Sequence, residues 1–342
     1  MSRILIVDDN LATLRSIGAQ LGDRFEVRLA KSSRQALAMA ESQRPDLVLL
    51  EIELQDLDGF QTMNLMRKRP ALARVPVIFL SASRDPEMES RALAQGAVDF
   101  ISKPVERRLL RNRLDLHLRL SAYQAGLEHT IRDLEDVIVT SFSELVECRD
   151  EHTGGHVQRT KTYTKVLGQA ILDRDVYPGQ LDHRRLDLLS RAAPLHDIGK
   201  IGISDLLLMK RGKLTAEEYE TVKLHTTIGA DVLRSIYEST PTQTYLRFAI
   251  AIAEGHHERF DGQGYPHGQA GLEIDLSNRI MSVVNVYDSL VTDRSYRPAF
   301  SHEKAIELVL AGRGTEFDPV IIDVFKEVCH QFGAVKDLTF RQ

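Results

Sequence analysis

Four short runs of apolar residues constrain the fold of the first 120 residues more than any other feature. The runs occupy residues 4–7, 47–50, 77–80 and 100–101. Uninterrupted apolar runs of this length are typical of strands that are buried on both faces, and helical patterns separate them. The pattern predicts a doubly wound parallel sheet, an α/β fold in which functional groups gather at the carboxyl ends of the strands.

Polar side chains stand where the predicted strands end. These are Asp8, Asp9, Glu51, Ser81 and Lys103. Clustered carboxylates bind a hard cation through oxygen, and a lysine neutralises an incoming phosphoryl group. Residues 1–120 resemble a response-regulator receiver domain, which has a flavodoxin-like fold. The resemblance implies that Asp8 and Asp9 hold Mg²⁺, and that Ser81 and Lys103 belong to the phosphorylation switch.

One position of this pocket departs from the receiver pattern. Receivers carry the phosphorylated aspartate where this chain has Glu51. Glutamate is one methylene longer, so its carboxylate is displaced toward the metal pocket. It either mimics a phosphorylated aspartate, pairs internally with Lys103, or fills the pocket of a domain that serves as a dimerisation platform. Ordinary phosphoryl transfer to residue 51 is therefore not expected.

Residues 105–147 contain no proline, and their apolar residues recur at steps of three and four. This apolar stripe comprises Leu120, Tyr123, Leu127, Ile131, Leu134, Ile138, Phe142 and Leu145. The spacing predicts one long linker helix with an apolar face. That face either packs on its own domain or pairs with its twin in a parallel homodimer. We favour the homodimer because the stripe begins where the receiver-like segment ends.

Metal-binding residue types are concentrated in the second half of the chain. The set comprises His156, His196, Asp197, His225, His256 and His257. Imidazole is the commonest metal ligand in proteins, and the carboxylate of a His-Asp pair can bridge to a second ion. Because the chain has only twelve histidines, this density indicates a two-metal hydrolytic site.

The same residues carry a second resemblance. The motifs lie at residues 153–159, 196–200, 213–215, 223–225, 256–266 and 293–297. Residues 145–330 resemble the HD-GYP family, helical metal-dependent phosphodiesterases that hydrolyse cyclic di-GMP. The resemblance implies an all-α domain in which the six residues above bind two divalent transition-metal ions (Fe, Mn, Ni or Zn). It also implies that Asp197 bridges them and that Lys200 reaches a phosphate oxygen or the attacking water.

Two positions depart from the family pattern. Members with three metals carry a glutamate where this chain has His152, so a third metal is not expected. The last ligand of the family is an aspartate, and Asn285 takes its place here. An amide oxygen coordinates metal more weakly than a carboxylate, so the site loses one negative charge. Asp288, three residues on, compensates only if the helix turns it inward.

The resemblance also implies how the substrate is held. The loop Gly264, Tyr265 and Pro266 matches the substrate-contact loop, in which glycine lets the backbone approach a ligand and tyrosine stacks on a purine. Arg294 and Arg297 match positions that hold the phosphates of the messenger. Asp150 and Asp288 are candidates for guanine contacts. With two metals, the expected product is the linear dinucleotide pGpG.

The length of 342 residues suggests about two domains. We expect a receiver-like domain over 1–120, a helical linker over 121–146 and an HD-type domain over 147–342. The net charge of −5 is mild, and no dense Lys/Arg run indicates DNA binding. No apolar run is long enough for a membrane span, and no signal peptide is recognisable, so we expect a cytoplasmic protein.

Three functions are compatible with the sequence. The first is a phosphodiesterase whose receiver-like domain passes its state through the linker helix, with a histidine kinase as a candidate partner. The second is a degenerate module that binds cyclic di-GMP or a protein without efficient turnover, since both Glu51 and Asn285 replace aspartates. The third is a scaffold that contacts a diguanylate cyclase. The intact set of histidines favours the first.

Overall fold

A computed structural model describes residues 1–83, 85–150, 155–210, 212–293 and 298–339, without the side chains of residues 150 and 336–339. By their contacts the residues divide into two compact units, Met1–Ile131 and Arg132–Gln342. The division falls inside the segment that the sequence predicts as a linker. Among the described helices, none has both the length and the apolar character that crossing a bilayer requires.

The first unit contains a five-stranded parallel sheet in the order β2-β1-β3-β4-β5. The strands are β1 (Arg3–Val7), β2 (Glu26–Ala30), β3 (Leu47–Glu51), β4 (Val77–Ser81) and β5 (Asp99–Ser102). This order is that of a flavodoxin-like doubly wound fold, which confirms the predicted class. The sequence pattern missed β2, because this edge strand carries Glu26 and Arg28 and has only one fully buried residue.

Helices cover both faces of this sheet, and each face has its own apolar cluster. The helices of the unit are α1 (Leu11–Leu21), α2 (Ser33–Ser42), α3 (Gly59–Arg67), α4 (Pro86–Ala94) and the start of α5 (Arg107–Glu147). Val7 of β1 lies level with Leu50 of β3. The residues that follow, Asp8 and Glu51, therefore leave the sheet at the same edge.

Helix α5 is one continuous helix of 41 residues, longer than the predicted linker. Its first turns belong to the sheet-containing unit, where Leu110 and Leu114 are completely buried. Its last turns belong to the second unit, where Val146 is buried. The prediction of one long helix is therefore confirmed, and the helix begins earlier because its first turns also complete the receiver core.

The second unit is helical. Its helices are α6 (His156–Arg174), α7 (His183–Ala192), α8 (Asp205–Leu208), α9 (Ala216–Lys223), α10 (His225–Ser239), α11 (Tyr245–Gly255), α12 (Leu276–Val291), α13 (His302–Ala311) and α14 (Pro319–Thr339). Their apolar faces form one core, in which the ring of Tyr163 stacks on Phe332 with 4.5 Å between centroids. The predicted all-α domain is confirmed.

Short 3₁₀ turns position the His-Asp pair between helices. One turn (Ala193–Leu195) follows α7 and leads into His196, and a second (Ile198–Gly202) follows Asp197. The second turn packs directly on the start of α10, since a Cβ atom added at Gly199 would lie 1.9 Å from the carbonyl oxygen of His225. Only glycine permits this approach, which holds Asp197 beside His225.

Candidate metal centre

Three histidine rings converge on one buried carboxylate. The Nε2 atom of His196 lies 3.2 Å from Oδ2 of Asp197. The Nε2 atoms of His225 and His256 lie 3.2 Å and 3.5 Å from Oδ1 of the same residue. All four side chains are at most 11% exposed. Residues that are 60 positions apart in sequence thus face one another in a closed space.

The other nitrogen of each ring is bonded to the backbone. Nδ1 of His196 lies 2.9 Å from the carbonyl of Ala193. Nδ1 of His225 and of His256 lie 2.7 Å and 2.8 Å from the carbonyls of residues 222 and 252. A carbonyl only accepts hydrogen bonds, so each Nδ1 carries the proton and each Nε2 presents its lone pair to the centre. This tautomer is the one that binds a metal.

The inward-facing atoms are unsatisfied among the described residues. Nε2 of His196, His225 and His256 and Oδ1 of Asp197 are buried and have no hydrogen-bond partner of acceptable geometry there. Leaving buried polar atoms unpaired costs about 1–3 kcal/mol each, so such a cluster requires an explanation. A cation that accepts three imidazoles and a carboxylate would satisfy all four atoms together. The residues therefore fit a metal.

The ligand atoms form two groups that share one residue. Asp197, His225, His256 and His257 make the first group, and His156, His196 and Asp197 make the second. In each group the candidate ligand atoms lie within 4.8 Å of one another. A carboxylate with one oxygen turned to each group can bridge two ions.

Electrostatics keep Asp197, His256 and His257 in the protonation states that metal binding requires. Burial alone would raise the pKa of Asp197, but the positive charge of Lys200 and the adjacent rings of His196 and His225 hold it well below its ordinary value. Burial lowers the pKa of His256 to about 4 and that of His257 well below its ordinary value. The carboxylate is therefore ionised and both imidazoles are neutral near pH 7.

His156 is oriented by a buried carboxylate. Its Nδ1 lies 2.6 Å from Oδ2 of Asp288, whose other oxygen accepts from Nε of Arg159 at 2.6 Å. Burial alone would raise the pKa of Asp288, but these two partners outweigh it and lower the pKa to about 2. Asp288, predicted as a guanine contact and as a possible substitute for Asn285, is fully buried, and both of its oxygens are bonded to side chains of this unit.

Lys200 lies next to the bridging position. Its Nζ atom is 2.9 Å from Oδ2 of Asp197 and 3.6 Å from Oε1 of Glu147, the last residue of α5. Its side chain is 11% exposed. A lysine in this position carries a positive charge beside the ligand cluster, where an anionic substrate would have to bind.

A cavity of about 190 Å³ opens beside His256 and His257. Asn285, predicted as a ligand, and Tyr265, predicted as a substrate contact, both line it. The ring of Tyr265 stacks on the ring of His257 with 4.7 Å between centroids. One face of the tyrosine ring is therefore in contact with a candidate metal ligand. The Nζ atom of Lys223 lies 5.2 Å from the centroid of the Tyr265 ring.

The loop that carries Tyr265 is fixed by a buried carboxylate and by close backbone packing. Glu258, which is 3% exposed, accepts hydrogen bonds from the backbone amides of His267 at 2.7 Å and Gln269 at 3.0 Å. A Cβ atom at Gly264 would lie 2.3 Å from the amide nitrogen of Arg259, so this position requires glycine. Pro266, also predicted as a contact, follows a cis peptide bond.

Some predicted residues fall outside the described part of the chain. They are His152, Arg294, Arg297 and the side chain of Asp150. Other contributors were not recognised from the sequence. Arg159 stands three residues after His156 on α6, so helical spacing alone would have placed both on one face. Glu147 gives no such signal, because only the tertiary fold brings it to Lys200.

The pocket of the first unit is closed by an internal ion pair. Lys103 donates to Oδ2 of Asp8 at 2.6 Å and also to Oε2 of Glu51. The other oxygen of Glu51 accepts from the amides of Ile52 at 2.8 Å and Glu53 at 3.2 Å. Burial alone would lower the pKa of Lys103, but its two carboxylate partners raise it. Of the alternatives for Glu51, the structure contains the pair with Lys103.

The remaining predicted residues of this pocket lie at the same sheet edge. Ser81 is 2% exposed, and its hydroxyl accepts from the amide of Ser83 at 3.0 Å. Asp9 is half-buried. The peptide bond between Lys103 and Pro104 is cis.

Comparison with known families agrees with both units. The family described as the response regulator receiver domain matches residues 4–115. The family described as the HD domain matches residues 140–321, more than half of the chain. The first match ends and the second begins within α5.

Two relatives match this chain over most of their own length, and a third matches over a smaller part. A probable cyclic di-GMP phosphodiesterase of Vibrio cholerae is 37% identical over 94% of this chain and 76% of its own. The cyclic di-GMP phosphodiesterase response regulator RpfG of Xanthomonas campestris is 32% identical over 96% of this chain and 90% of its own. A 3'3'-cGAMP-specific phosphodiesterase of Vibrio cholerae is 32% identical over 60% of this chain and 37% of its own. This chain belongs to the family of response regulators that join a receiver domain to an HD domain, and it is a metal-dependent hydrolase.

Proposed function

We propose that this chain hydrolyses cyclic di-GMP at a binuclear metal site, with pGpG as the product. The observation that carries the proposal is the pair of ligand groups that share Asp197. The relatives that match over most of their length are named for this activity. His156 and His196 would serve one ion, His225, His256 and His257 the other, and Asp197 both. Iron, manganese, nickel and zinc all suit such ligands.

The residues of the chain have distinct tasks in this reaction. Bound divalent ions would supply an activated water and neutralise charge on the phosphodiester. Lys200, with its Nζ 2.9 Å from Asp197, would hold a non-bridging phosphate oxygen beside the reacting phosphorus. The backbone at Gly264 and the ring of Tyr265 would position a guanine base in the adjoining cavity. Arg294 and Arg297 would hold the second phosphate.

Asn285 supports a second candidate function. It lines the cavity with His256 and His257 at the position where the family supplies a carboxylate. A neutral amide would hold the ion on that side less tightly, and a chain with a partly filled site would bind the messenger with little turnover. The intact cluster of five histidines and Asp197 favours the enzyme over this binding module.

We further propose that the receiver domain does not accept a phosphoryl group. Residue 51 is a glutamate whose carboxylate is held by Lys103 and by two backbone amides. Lys103 is therefore already paired with the carboxylates of Asp8 and Glu51 and is not free to neutralise an incoming phosphoryl group. Mg²⁺ would have to displace Lys103 from Asp8 in order to bind. If residue 51 is not phosphorylated, no histidine kinase is needed to set the state of this domain.

The apolar stripe supports a homodimer. Its eight residues run along α5 and are 48–73% exposed. Leu114 and Val146, which are buried in the two cores, lie on a different face of α5 from the apolar stripe. Pairing with a second copy would remove the stripe from water at roughly 25 cal/mol per Å² of apolar surface.

Metal analysis followed by a turnover assay tests the proposed function. Purified chain should contain divalent metal and convert cyclic di-GMP to pGpG with Mn²⁺ or Fe²⁺, and His196→Ala should abolish the conversion. 3'3'-cGAMP serves as the comparison substrate. A chain that binds cyclic di-GMP but leaves it intact when the metal site is full would support the binding module instead.

A further inference from the structure

A residue just after α5 makes hydrogen bonds to the backbone of residues 200–203, the segment that carries Lys200. Arg149 lies two residues beyond the end of this helix. Its guanidinium donates to the carbonyls of Lys200 at 3.2 Å, Ile201 at 3.0 Å and Ile203 at 2.9 Å. It also donates to Oδ1 of Asp205 at 2.9 Å, at the start of α8. One side chain thus fixes both the end of the 3₁₀ turn after Asp197 and the helix that follows.

A second contact joins the same two segments. Glu147, the last residue of α5, has a side chain that is 9% exposed, and its Oε1 lies 3.6 Å from Nζ of Lys200. Lys200 therefore stands between two carboxylates, those of Glu147 and Asp197. Removing the charge of Glu147 would therefore change the electrostatic attraction on the ammonium group.

The opposite side of this segment is also fixed. Gly199 packs on the backbone of α10, where an added Cβ would lie 2.5 Å from the amide nitrogen of Gly229. The turn from 198 to 202 is therefore held between α10, which begins with His225, and the end of α5. A movement of the α5 end would displace Lys200 relative to Asp197, because the turn is packed closely on α10.

We propose that Arg149 and Glu147 are positioning residues that set the place of Lys200 and thereby couple α5 to the rate of hydrolysis. The inference rests on the proposed function, since it assigns the regulation of the same site. Helix α5 is the segment through which the chain passes from the first unit to the second. Its last residues are thus the point at which a signal from the receiver domain reaches the chemistry.

The test compares Arg149→Ala and Glu147→Gln with Arg191→Ala in the full chain. Arg191 is the matched control, because its guanidinium also bonds to α5, through Glu135 and Asp136, and makes no hydrogen bond to the 198–202 turn among the described residues. Both test variants should lower kcat for cyclic di-GMP about 10- to 100-fold, the effect of a small displacement of a catalytic group. KM, metal content and the thermal midpoint should change no more than in Arg191→Ala.

A double-mutant cycle shows through which residue Arg149 acts. If it works by placing Lys200, then Arg149→Ala should cause little further loss of kcat in a Lys200→Ala background. If the kcat losses of Arg149→Ala and Lys200→Ala multiply in the double variant, the inference is overturned. So would a wild-type kcat in both single variants, or an equal loss in the Arg191→Ala control.

A spectroscopic measurement separates this inference from the proposed function. Metal-stripped chain is loaded with Co²⁺, whose visible absorption reports the ligand geometry around Asp197. Arg149→Ala and Glu147→Gln should shift that spectrum, and Arg191→Ala should leave it unchanged. If the wild type fails to hydrolyse cyclic di-GMP, the proposed function fails and the spectrum alone decides. Identical spectra in all four proteins would then reject the coupling.

Discussion

His156 and Asp288 form a buried pair in which Nδ1 of the imidazole lies 2.6 Å from Oδ2 of the carboxylate. Helices α6 and α12 bring these residues together across 132 positions of sequence. The pair directs Nε2 of His156 toward the ligand group that it shares with His196 and Asp197. Carboxylate–histidine–metal arrangements of this kind fix the tautomer and the ring orientation of a ligand.

Asp288→Asn should therefore weaken metal binding. Loss of an outer-shell partner typically costs about 10- to 100-fold in metal affinity. Calorimetric titration of metal-stripped protein with Mn²⁺ measures the change in metal affinity. The matched control is Asp318→Asn, because Asp318 is equally buried and bonded to Arg279 at 2.5 Å, but lies outside both ligand groups. Equal loss of affinity in both variants would show a general loss of stability instead.

Asn285→Asp should increase activity. The substitution places a carboxylate in the cavity beside His256 and His257, where a second cation would gain an anionic ligand. We expect the variant to bind metal more tightly and to turn over cyclic di-GMP at least several-fold faster, with little change in affinity for the messenger. Ser282→Asp, in the same cavity one turn earlier, tests whether added charge alone suffices. Equal rates for wild type and Asn285→Asp would contradict the assignment.

The receiver pocket should resist phosphorylation. Incubation with acetyl phosphate and Mg²⁺ should leave wild-type chain unmodified, as measured by intact mass spectrometry, because Lys103 already occupies both Asp8 and Glu51. Glu51→Asp shortens the side chain and restores the residue type that receivers use, so we expect it to take up a labile phosphoryl group. A labile modification mapped to Glu51 in the wild type would refute this view of the domain.

Leu127→Asp combined with Ile131→Asp should dissociate the proposed homodimer. Both residues are 48% exposed on the stripe, and pairing would bury the new charges without partners. Sedimentation velocity at micromolar concentration measures the change in mass. Ala125→Asp is the control, since helical geometry places it on the opposite side of α5. A monomeric wild type, or a dimer that survives the double substitution, would exclude pairing through this face.

Much of the fold followed from local patterns. The apolar runs predicted four of the five strands, because a strand buried on both faces needs apolar residues at every position. The steps of three and four predicted the long helix α5, because residues at these intervals fall on one face of a helix. Strand β2 escaped because it lies at the edge of the sheet, where Glu26 and Arg28 meet water and the apolar signal is lost.

The sequence by itself determined the residue types of the metal site and their approximate grouping. Histidines beside an aspartate, at intervals along predicted helices, specify metal chemistry through their donor atoms alone. Only the tertiary structure decided which atoms converge. Periodicity reports which side chains share a face of a helix or strand, and it does not report their partners in the fold. The contacts of Asp288 with His156, of Arg149 with the Lys200 segment and of Lys103 with Glu51 depend on packing between distant elements, and so appear only once the chain is folded.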